Sequence, residues 1–134
     1  MPGELANYGE MLALDAVFND FDLFLGLATS PIEDDDDIGD IDEVEDANYE
    51  RKLVSFSIPD QEGGKGTIRN LNMLQFGPWD ENQPTPVSYA FITNEELIGE
   101  GGELVAYTEL PSYKMPEVDE LIVLLEDDLV IQID

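Results

Sequence analysis

The sequence contains no cysteine and no histidine, and only five of its 134 residues are basic. Without cysteine, the chain has no disulfides, no thiolate nucleophile and no cysteine-ligated zinc or iron–sulfur cluster. Without histidine, it has no Ser-His-Asp or Cys-His catalytic arrangement and no histidine pH switch. Paired carboxylates carry little information among 32 acidic residues. We therefore expect a protein that is not an enzyme.

Long apolar runs are also missing. The longest, such as Leu121–Leu125, fall far short of a membrane span, and residues 1–10 lack the basic stretch of a signal peptide. The hydrophobic fraction is nevertheless 43%, with one Trp, five Tyr and six Phe, which is too apolar for a disordered acidic chain. We therefore expect a single folded domain over residues 1–134.

Acidic residues dominate the charge of the chain. There are 32 of them against five bases, and the formal net charge is −27. Residues 1–50 contain no base, and the acids are densest in Glu33–Asp46, so we predict an extended, solvated acidic loop over residues 31–47. A field this negative repels phosphate backbones and anionic lipid, which excludes nucleic acid and membranes as expected partners.

The N-terminal stretch predicts one helix, over residues 4–18. Leu5, Tyr8, Leu12 and Ala16 recur at helical spacing and fall near one face. Glu4 suits the positive end of the helix dipole at the start of this segment. We see no second helical period of useful length.

After the helix, short apolar runs and period-two alternation predict about seven strands. The first is Phe21–Ala28, and the main β-sandwich region covers residues 49–134. The remaining strands are predicted over 54–58, 67–76 with a break near Asn70–Leu71, 87–93, 103–110, 121–125 and 129–133. We expect the last two to pair across Glu126–Asp128. The pattern favours a mainly β fold, an antiparallel β-sandwich with one N-terminal α-helix.

The acidic loop offers candidate calcium ligands. Positions 1, 3, 7, 9 and 12 of a twelve-residue calcium loop would be filled by Asp34, Asp36, Asp40, Asp42 and Glu45. Gly39 occupies position 6, but Ile38 stands at position 5, where a ligand is required, and Pro31 interrupts any entering helix. Specific calcium binding, weak calcium binding and a plain solvated loop remain alternative interpretations, and no other cofactor is expected.

Two aromatic residues are candidates for partner binding. Trp79, the only tryptophan, lies in the proline-rich segment 77–86. It could anchor a partner at a rim, or fold back to cover one end of the sandwich. Phe24 lies on the opposite strand face from Leu23 and Leu25, which makes it a candidate contact position.

Several short motifs follow one another along almost the whole chain. After the helix these are Phe24–Pro31, Tyr49-Glu50-Arg51, Asn70 before Leu71–Phe76, Trp79 and its loop, and Gly101-Gly102 before Leu104–Tyr107. Each motif is weak alone, but in this order the chain resembles the small tail-fibre-like or minor tail virion proteins of tailed bacteriophages. The segment Glu117–Glu120 departs from the Gly-Asp turn that this family often has there.

The resemblance implies a structural role in the virion. It points to a non-enzymatic assembly or adaptor module of the tail, baseplate or fibre, put together in the host cytoplasm. Its partners would be other virion proteins and copies of itself, in a trimer or ring. A capsid decoration (cement) protein of the same kind of virus, a calcium-dependent binding module and a salt-adapted small protein are the alternatives.

Overall fold

The computed structural model describes residues 3–133, which form one α-helix and nine β-strands. The helix α1 is Asn7–Phe18, and Ile38–Asp40 forms a single 3-10 turn. The strands are β1 (Leu23–Ala28), β2 (Lys52–Val54), β3 (Asp60–Glu62), β4 (Lys65–Arg69), β5 (Leu74–Phe76), β6 (Val87–Thr93), β7 (Leu104–Lys114), β8 (Ile122–Leu124) and β9 (Val130–Ile133). The prediction of a mainly β, antiparallel fold with a single N-terminal helix is confirmed.

The structure has nine strands instead of the seven predicted. One predicted strand is divided into two, and one segment predicted as a turn contains an additional strand. The predicted break near Asn70–Leu71 is confirmed, since β4 and β5 are separate strands in separate sheets. The segment 59–66, predicted as a turn, contains β3 and forms a hairpin with β4. Its tip is Gly63–Gly64, at φ angles of 60° and 78° that favour glycine. Strand β3 contains only polar residues, so its sequence has no apolar alternation from which a strand could be predicted.

The predicted pairing of the last two strands with each other is wrong. Strand β8 pairs with β5, whereas β9 pairs with β4. The turn before β9 is held by Asn70 instead: the side-chain amide of Asn70 donates to the Leu125 carbonyl, and its side-chain oxygen accepts from the Leu129 N–H. Asn70 is fully buried, and its hydrogen bonds fix the connection between β8 and β9. The pattern of apolar residues cannot predict such a connection, because it depends on a polar side chain.

The chain divides into two compact units, each built from separate stretches of sequence. The first comprises Met1–Asp22, Val54–Met73 and Leu124–Asp134, and the second comprises Leu23–Leu53 and Leu74–Val123. The single domain expected over residues 1–134 stays a prediction, and residues 1, 2 and 134 lie outside the described part of the chain.

The first unit packs α1 against a three-stranded sheet of order β3-β4-β9. Its buried apolar side chains come from the helix, the sheet and the connections between them: Leu14, Phe18, Phe56, Ile68 and Leu129. The Phe18 and Phe56 rings meet edge to face, with centroids 5.1 Å apart. The strand predicted over residues 54–58 is not formed as such: β2 ends at Val54, Phe56 makes only an isolated bridge to Asn70, and Ile58 is 86% exposed.

Helix α1 turns an unexpected face toward the sheet. The residues it buries are Glu10, Leu14 and Phe18. A Glu10 carboxylate oxygen accepts hydrogen bonds from the Gly66 N–H at 3.2 Å and from the Gln61 side-chain amide at 3.1 Å. The apolar residues that predicted the helix are exposed on the opposite side: Leu5, Tyr8, Leu12 and Ala16. The helix also begins at Asn7 instead of Glu4, because Ala6 is extended.

The second unit contains β1, β6 and β7, within a sheet of order β2-β1-β6-β7, and the pair β5-β8. Strand β1 runs antiparallel to β6, with Gly26 opposite Phe91. A Cβ atom on Gly26 would lie 2.3 Å from the Phe91 ring, so only glycine leaves room for it. Strand β1 is therefore nearly all buried, and it forms the centre of this unit's core.

Candidate functional site

The acidic loop, residues 31–47, is ordered by hydrogen bonds of its own carboxylates. The Glu33 N–H donates to Asp36, and the Asp37 N–H donates to Asp40, each at 2.9 Å. Ser30 donates its hydroxyl to Asp42 at 2.7 Å. Local side-chain to backbone bonds of this kind stabilise tight turns without any ion. The loop is therefore built from turns instead of the extended chain predicted from its charge.

The five candidate calcium ligands point to different partners. Asp36, Asp40 and Asp42 make the bonds just described, the Tyr107 hydroxyl donates to Asp34, and Glu45 is exposed. Among residues 3–133, no group of three or more acidic side chains is arranged to hold a metal ion. Sequence spacing alone therefore does not bring these residues together.

Asp46 joins the end of the acidic loop to the segment 77–86. Its carboxylate accepts from the Asp80 N–H at 3.0 Å, the Glu81 N–H at 3.2 Å and the Asn48 N–H at 3.0 Å. Burial opposes ionisation, but these three backbone donors lower the pKa of the Asp46 carboxyl below its usual value. The negative charge of Asp46 thus fixes two loops to each other.

Glu43 and Arg51 form the most buried ion pair of the described chain. Their side chains are 11% and 3% exposed, and the guanidinium binds the carboxylate through two hydrogen bonds, of 2.7 and 2.9 Å. A further N–H of Arg51 donates to the Glu95 carbonyl at 2.8 Å, and its guanidinium lies 5.5 Å from the centre of the Phe91 ring. The pair therefore ties the acidic loop to β6 and to the chain that follows it.

Tyr49 extends this network toward β1. Its hydroxyl donates to Glu43 at 2.6 Å and accepts from the Leu27 N–H at 2.9 Å. Burial and the negative charge of Glu43 raise the pKa of Tyr49 well above its usual value. Burial opposes the charge of Arg51, but the hydrogen bond and charge of Glu43 raise the pKa of its guanidinium. The Tyr-x-Arg motif was visible in the sequence, whereas Glu43 could not be distinguished from its acidic neighbours.

Trp79 is buried, with 1% of its surface exposed. Its indole N–H donates to the Gln83 side chain at 2.9 Å, while its backbone N–H donates to Glu120 and its carbonyl accepts from Asp119. A side chain so enclosed has no surface to offer a partner. The structure therefore favours the interpretation of Trp79 as a cover that folds back on its own unit, and not as a partner anchor.

Phe24 is half buried in β1, opposite Thr93 of β6. Its neighbours Leu23 and Leu25 are buried at 2% and 0% exposed, so the alternation that singled out Phe24 exists. Phe24 and Trp79 lie in different elements, and nothing in the structure joins them into one site. Phe24 as a contact position stays a prediction.

An open cleft of about 740 Å³ lies in the second unit beside the acidic loop. Isoleucine and carboxylate side chains share its wall: Ile38, Ile41, Ile98, Asp42 and Glu45. The base that reaches the cleft, Arg51, is already paired with Glu43. The cleft thus combines apolar and acidic groups and holds no arrangement that points to a reaction.

Large apolar side chains stand in solvent in both units. The most exposed are Ile58 at 86%, Tyr8 at 73%, Phe21 at 68% and Tyr113 at 66%. Exposed apolar side chains that gather on one element mark surfaces used for contact with other molecules. The part of the chain described by the structure has no helix that is both long and apolar enough to cross a membrane.

Comparison with known proteins gives one match. No curated protein and no solved structure matches the chain. A family model, described as Podophage GP4 fiber I protein gp80, matches residues 5–132, from just before α1 into β9. The tail-fibre-like resemblance of the sequence is thereby confirmed. The chain belongs to the family of the Podophage GP4 fiber I protein gp80.

Proposed function

We propose that this protein is a non-enzymatic structural module of a bacteriophage fibre, assembled into the virion within the host cytoplasm. The observation that carries the proposal is the family match over residues 5–132. The internal hydrogen bonding of the acidic loop is in keeping with a structural role, because the Asp36 and Asp40 carboxylates accept backbone hydrogen bonds that stabilise turns.

The partners of this module are other virion proteins and further copies of the chain, in a trimer or ring. Exposed apolar side chains on several elements support contact with protein surfaces. The net charge of −27 disfavours nucleic acid and anionic membranes as partners. The same charge favours basic surfaces wherever a partner meets the acidic loop.

Location on the particle is the test of this proposal. Purified particles of the phage that carries this gene would be labelled with an antibody against the protein and viewed by electron microscopy. We expect the label on the fibres. Label spread over the capsid shell would instead establish the capsid decoration role, and absence of the protein from purified particles would overturn a virion role altogether.

Self-association is tested on the purified protein by light scattering at micromolar concentration. We expect a mass at least three times that of one chain. A single-chain mass at every concentration reached would contradict the trimer or ring while leaving the fibre location to the microscopy.

A further inference from the structure

The β3–β4 hairpin ends in a narrow tip that carries a lysine without a carboxylate partner. Gly63 and Gly64 form the turn, and no atom beyond their chain neighbours lies within 4 Å of the place that a Cβ would take on either. Lys65 follows them and is exposed. The three ion pairs within residues 3–133 all use other bases. The tip therefore presents an unpaired ammonium group to solvent.

The hairpin begins the longest stretch of the chain that contains no acid. Residues 63–79 include two bases and none of the 32 acids. The acid next to the turn, Glu62, is paired with Arg69 at 2.6 Å. Asp60 stays unpaired, but it lies opposite Thr67, two ladder positions from Lys65. A partner that approaches the tip therefore meets a positive charge as its first uncompensated charge.

The cleft beside the acidic loop has the opposite charge. Its charged side chains are Asp42, Glu43, Glu45 and Arg51, of which Glu43 and Arg51 neutralise each other. Glu45 is exposed, and its carboxylate makes no hydrogen bond or ion pair within the described residues. The Asp42 carboxylate accepts only from the neutral Ser30 hydroxyl. Two carboxylates of the cleft are therefore without a cation.

The lining of the cleft also suits a lysine side chain. Ile38, Ile41 and Ile98 stand among the carboxylates. Lysine binds such mixed surfaces well, because its methylene stem packs on apolar groups while its ammonium reaches a charge. The cleft measures about 740 Å³ and lies within the second unit. A turn of two glycines followed by one lysine is narrow enough to enter it.

We propose that the β3–β4 hairpin tip of one copy of this chain binds in the cleft of a second copy, with Lys65 beside Asp42 and Glu45. The inference rests on the self-association in the proposed function and names the two surfaces that produce it. Copies of net charge −27 repel each other, and this contact brings an unpaired base to unpaired acids. Because hairpin and cleft are different surfaces, each copy can use both, and head-to-tail contacts of this kind close into rings.

The first experiment compares three proteins by sedimentation over a range of concentrations: the unchanged chain, Lys65→Glu and Lys114→Glu. Lys114 is the matched control, because it is exposed and also lacks an ion pair within the described residues, but lies in strand β7 instead of at a turn. Both variants change the net charge equally. We expect Lys65→Glu to weaken association by about tenfold or more, since it places like charges together, and Lys114→Glu to leave it nearly unchanged.

The outcomes separate this inference from the self-association on which it rests. An oligomer that survives in Lys65→Glu, or is weakened equally in both variants, overturns the inference alone. A single-chain mass for the unchanged protein overturns the self-association and the inference together.

The second experiment exchanges the charges. Glu45→Lys alters the cleft at an exposed side chain without bonds in the described chain, and we expect it to weaken association as Lys65→Glu does. A mixture of the two variants should associate where neither does alone, because each hairpin then finds a cleft of opposite charge. A mixture that sediments as its separate components would show that the hairpin and the cleft do not meet. Weakening by Glu45→Lys but not by Lys65→Glu would also overturn the inference, and would assign the cleft to a different basic segment.

Discussion

At the scale of single residues, the buried ion pair of Glu43 and Arg51 is expected to contribute strongly to the stability of the second unit. When one partner of a buried ion pair is removed, the remaining charge is left in a poorly solvated place, at a cost of about 3–5 kcal/mol. We expect Arg51→Met to lower the free energy of unfolding by about this amount, because Glu43 would lose both of its guanidinium hydrogen bonds. Urea denaturation measures the difference.

The next residue in the sequence provides the control. Lys52 pairs with Glu50 at 2.9 Å, but their side chains are 31% and 74% exposed. Exposed pairs contribute about 0–1 kcal/mol, so Lys52→Met should change the stability by no more than that. Equal losses in Arg51→Met and Lys52→Met would mean that Arg51 and Glu43 are solvated in solution.

Tyr49 predicts a dependence of stability on alkaline pH. Its folded pKa lies above the ordinary value of 10.0, so its contribution is complete below about pH 10 and is lost as pH rises beyond it. The loss from this group is about 1.4 kcal/mol per pH unit above pH 10. We expect Tyr49→Phe to be less stable than the unchanged chain at neutral pH and to lose less stability between pH 10 and about pH 11.

Tyr113 is the matched control for this measurement, because it is 66% exposed. Tyr113→Phe removes an exposed phenol, so it should change the stability at neutral pH by no more than about 0.5 kcal/mol. Denaturant titrations at each pH supply the free energies. Parallel curves for Tyr49→Phe and the unchanged chain would show that Tyr49 ionises as freely in the fold as outside it.

At the scale of elements, the centre of β1 depends on the close approach of Gly26 and Phe91. An added Cβ on Gly26 would fall 2.3–2.8 Å from three atoms of the Phe91 ring, so the ring or the strand must shift. Overpacking of this kind costs about 1–3 kcal/mol. We expect Gly26→Ala to lower the melting temperature by several degrees, as measured by circular dichroism.

Gly39 in the 3-10 turn offers the comparison, since nothing lies within 4 Å of its Cβ position and its φ is not in the left-handed region. Gly39→Ala should leave the melting temperature within about a degree. In the double variant Gly26→Ala with Phe91→Leu, part of the loss at Gly26 should be recovered. A neutral Gly26→Ala would show that β1 and β6 are farther apart than described.

Sequence periodicity predicted the elements better than their orientation. Strands β6 and β9 were found because both are rich in apolar residues: β6 is buried over Ala90–Thr93, and in β9 Ile131 and Ile133 are less exposed than Val130 and Gln132. Strand β3 was missed because all three of its residues are polar.

The helix α1 was predicted from the spacing of Leu5, Tyr8 and Leu12, of which only Tyr8 and Leu12 lie in it. Its buried face could not be predicted, since Glu10 is buried through hydrogen bonds that connect distant parts of the sequence.

The candidate site could be predicted only in part for the same reason. The acidic loop and Tyr49-Glu50-Arg51 stand out in the sequence, but the choice of Glu43 as their link depends on tertiary geometry. Trp79 shows the converse case. A tryptophan in a proline-rich loop suggests exposure, whereas bonds to Gln83, Asp119 and Glu120 enclose it.

At the scale of the whole molecule, the net charge of −27 opposes the compact state through self-repulsion. Raising the salt concentration from about 0.01 M to about 0.15 M shortens the screening length from about 30 Å to about 8 Å. We expect the melting temperature to rise by several degrees over this range in sodium chloride. Calcium and magnesium chloride at equal ionic strength should raise it by equal amounts.

The comparison of the two divalent salts also tests the calcium hypothesis. A rise that is larger in calcium than in magnesium, and that disappears in Asp36→Ala, would show a specific site despite the separate partners of the loop carboxylates. A melting temperature that does not respond to sodium chloride would show that the acids are too far apart to repel one another.

The interleaving of the two units has a consequence for synthesis on the ribosome. The first unit includes residues 1–22 and Leu124–Asp134, and β9 pairs with β4. Its sheet therefore cannot be completed until β9, Val130–Ile133, has left the exit tunnel. The second unit waits almost as long, because β5 pairs with β8 at Ile122–Leu124. Termination before Ile122 would thus yield a chain that can form neither the β4-β9 pair nor the β5-β8 pair.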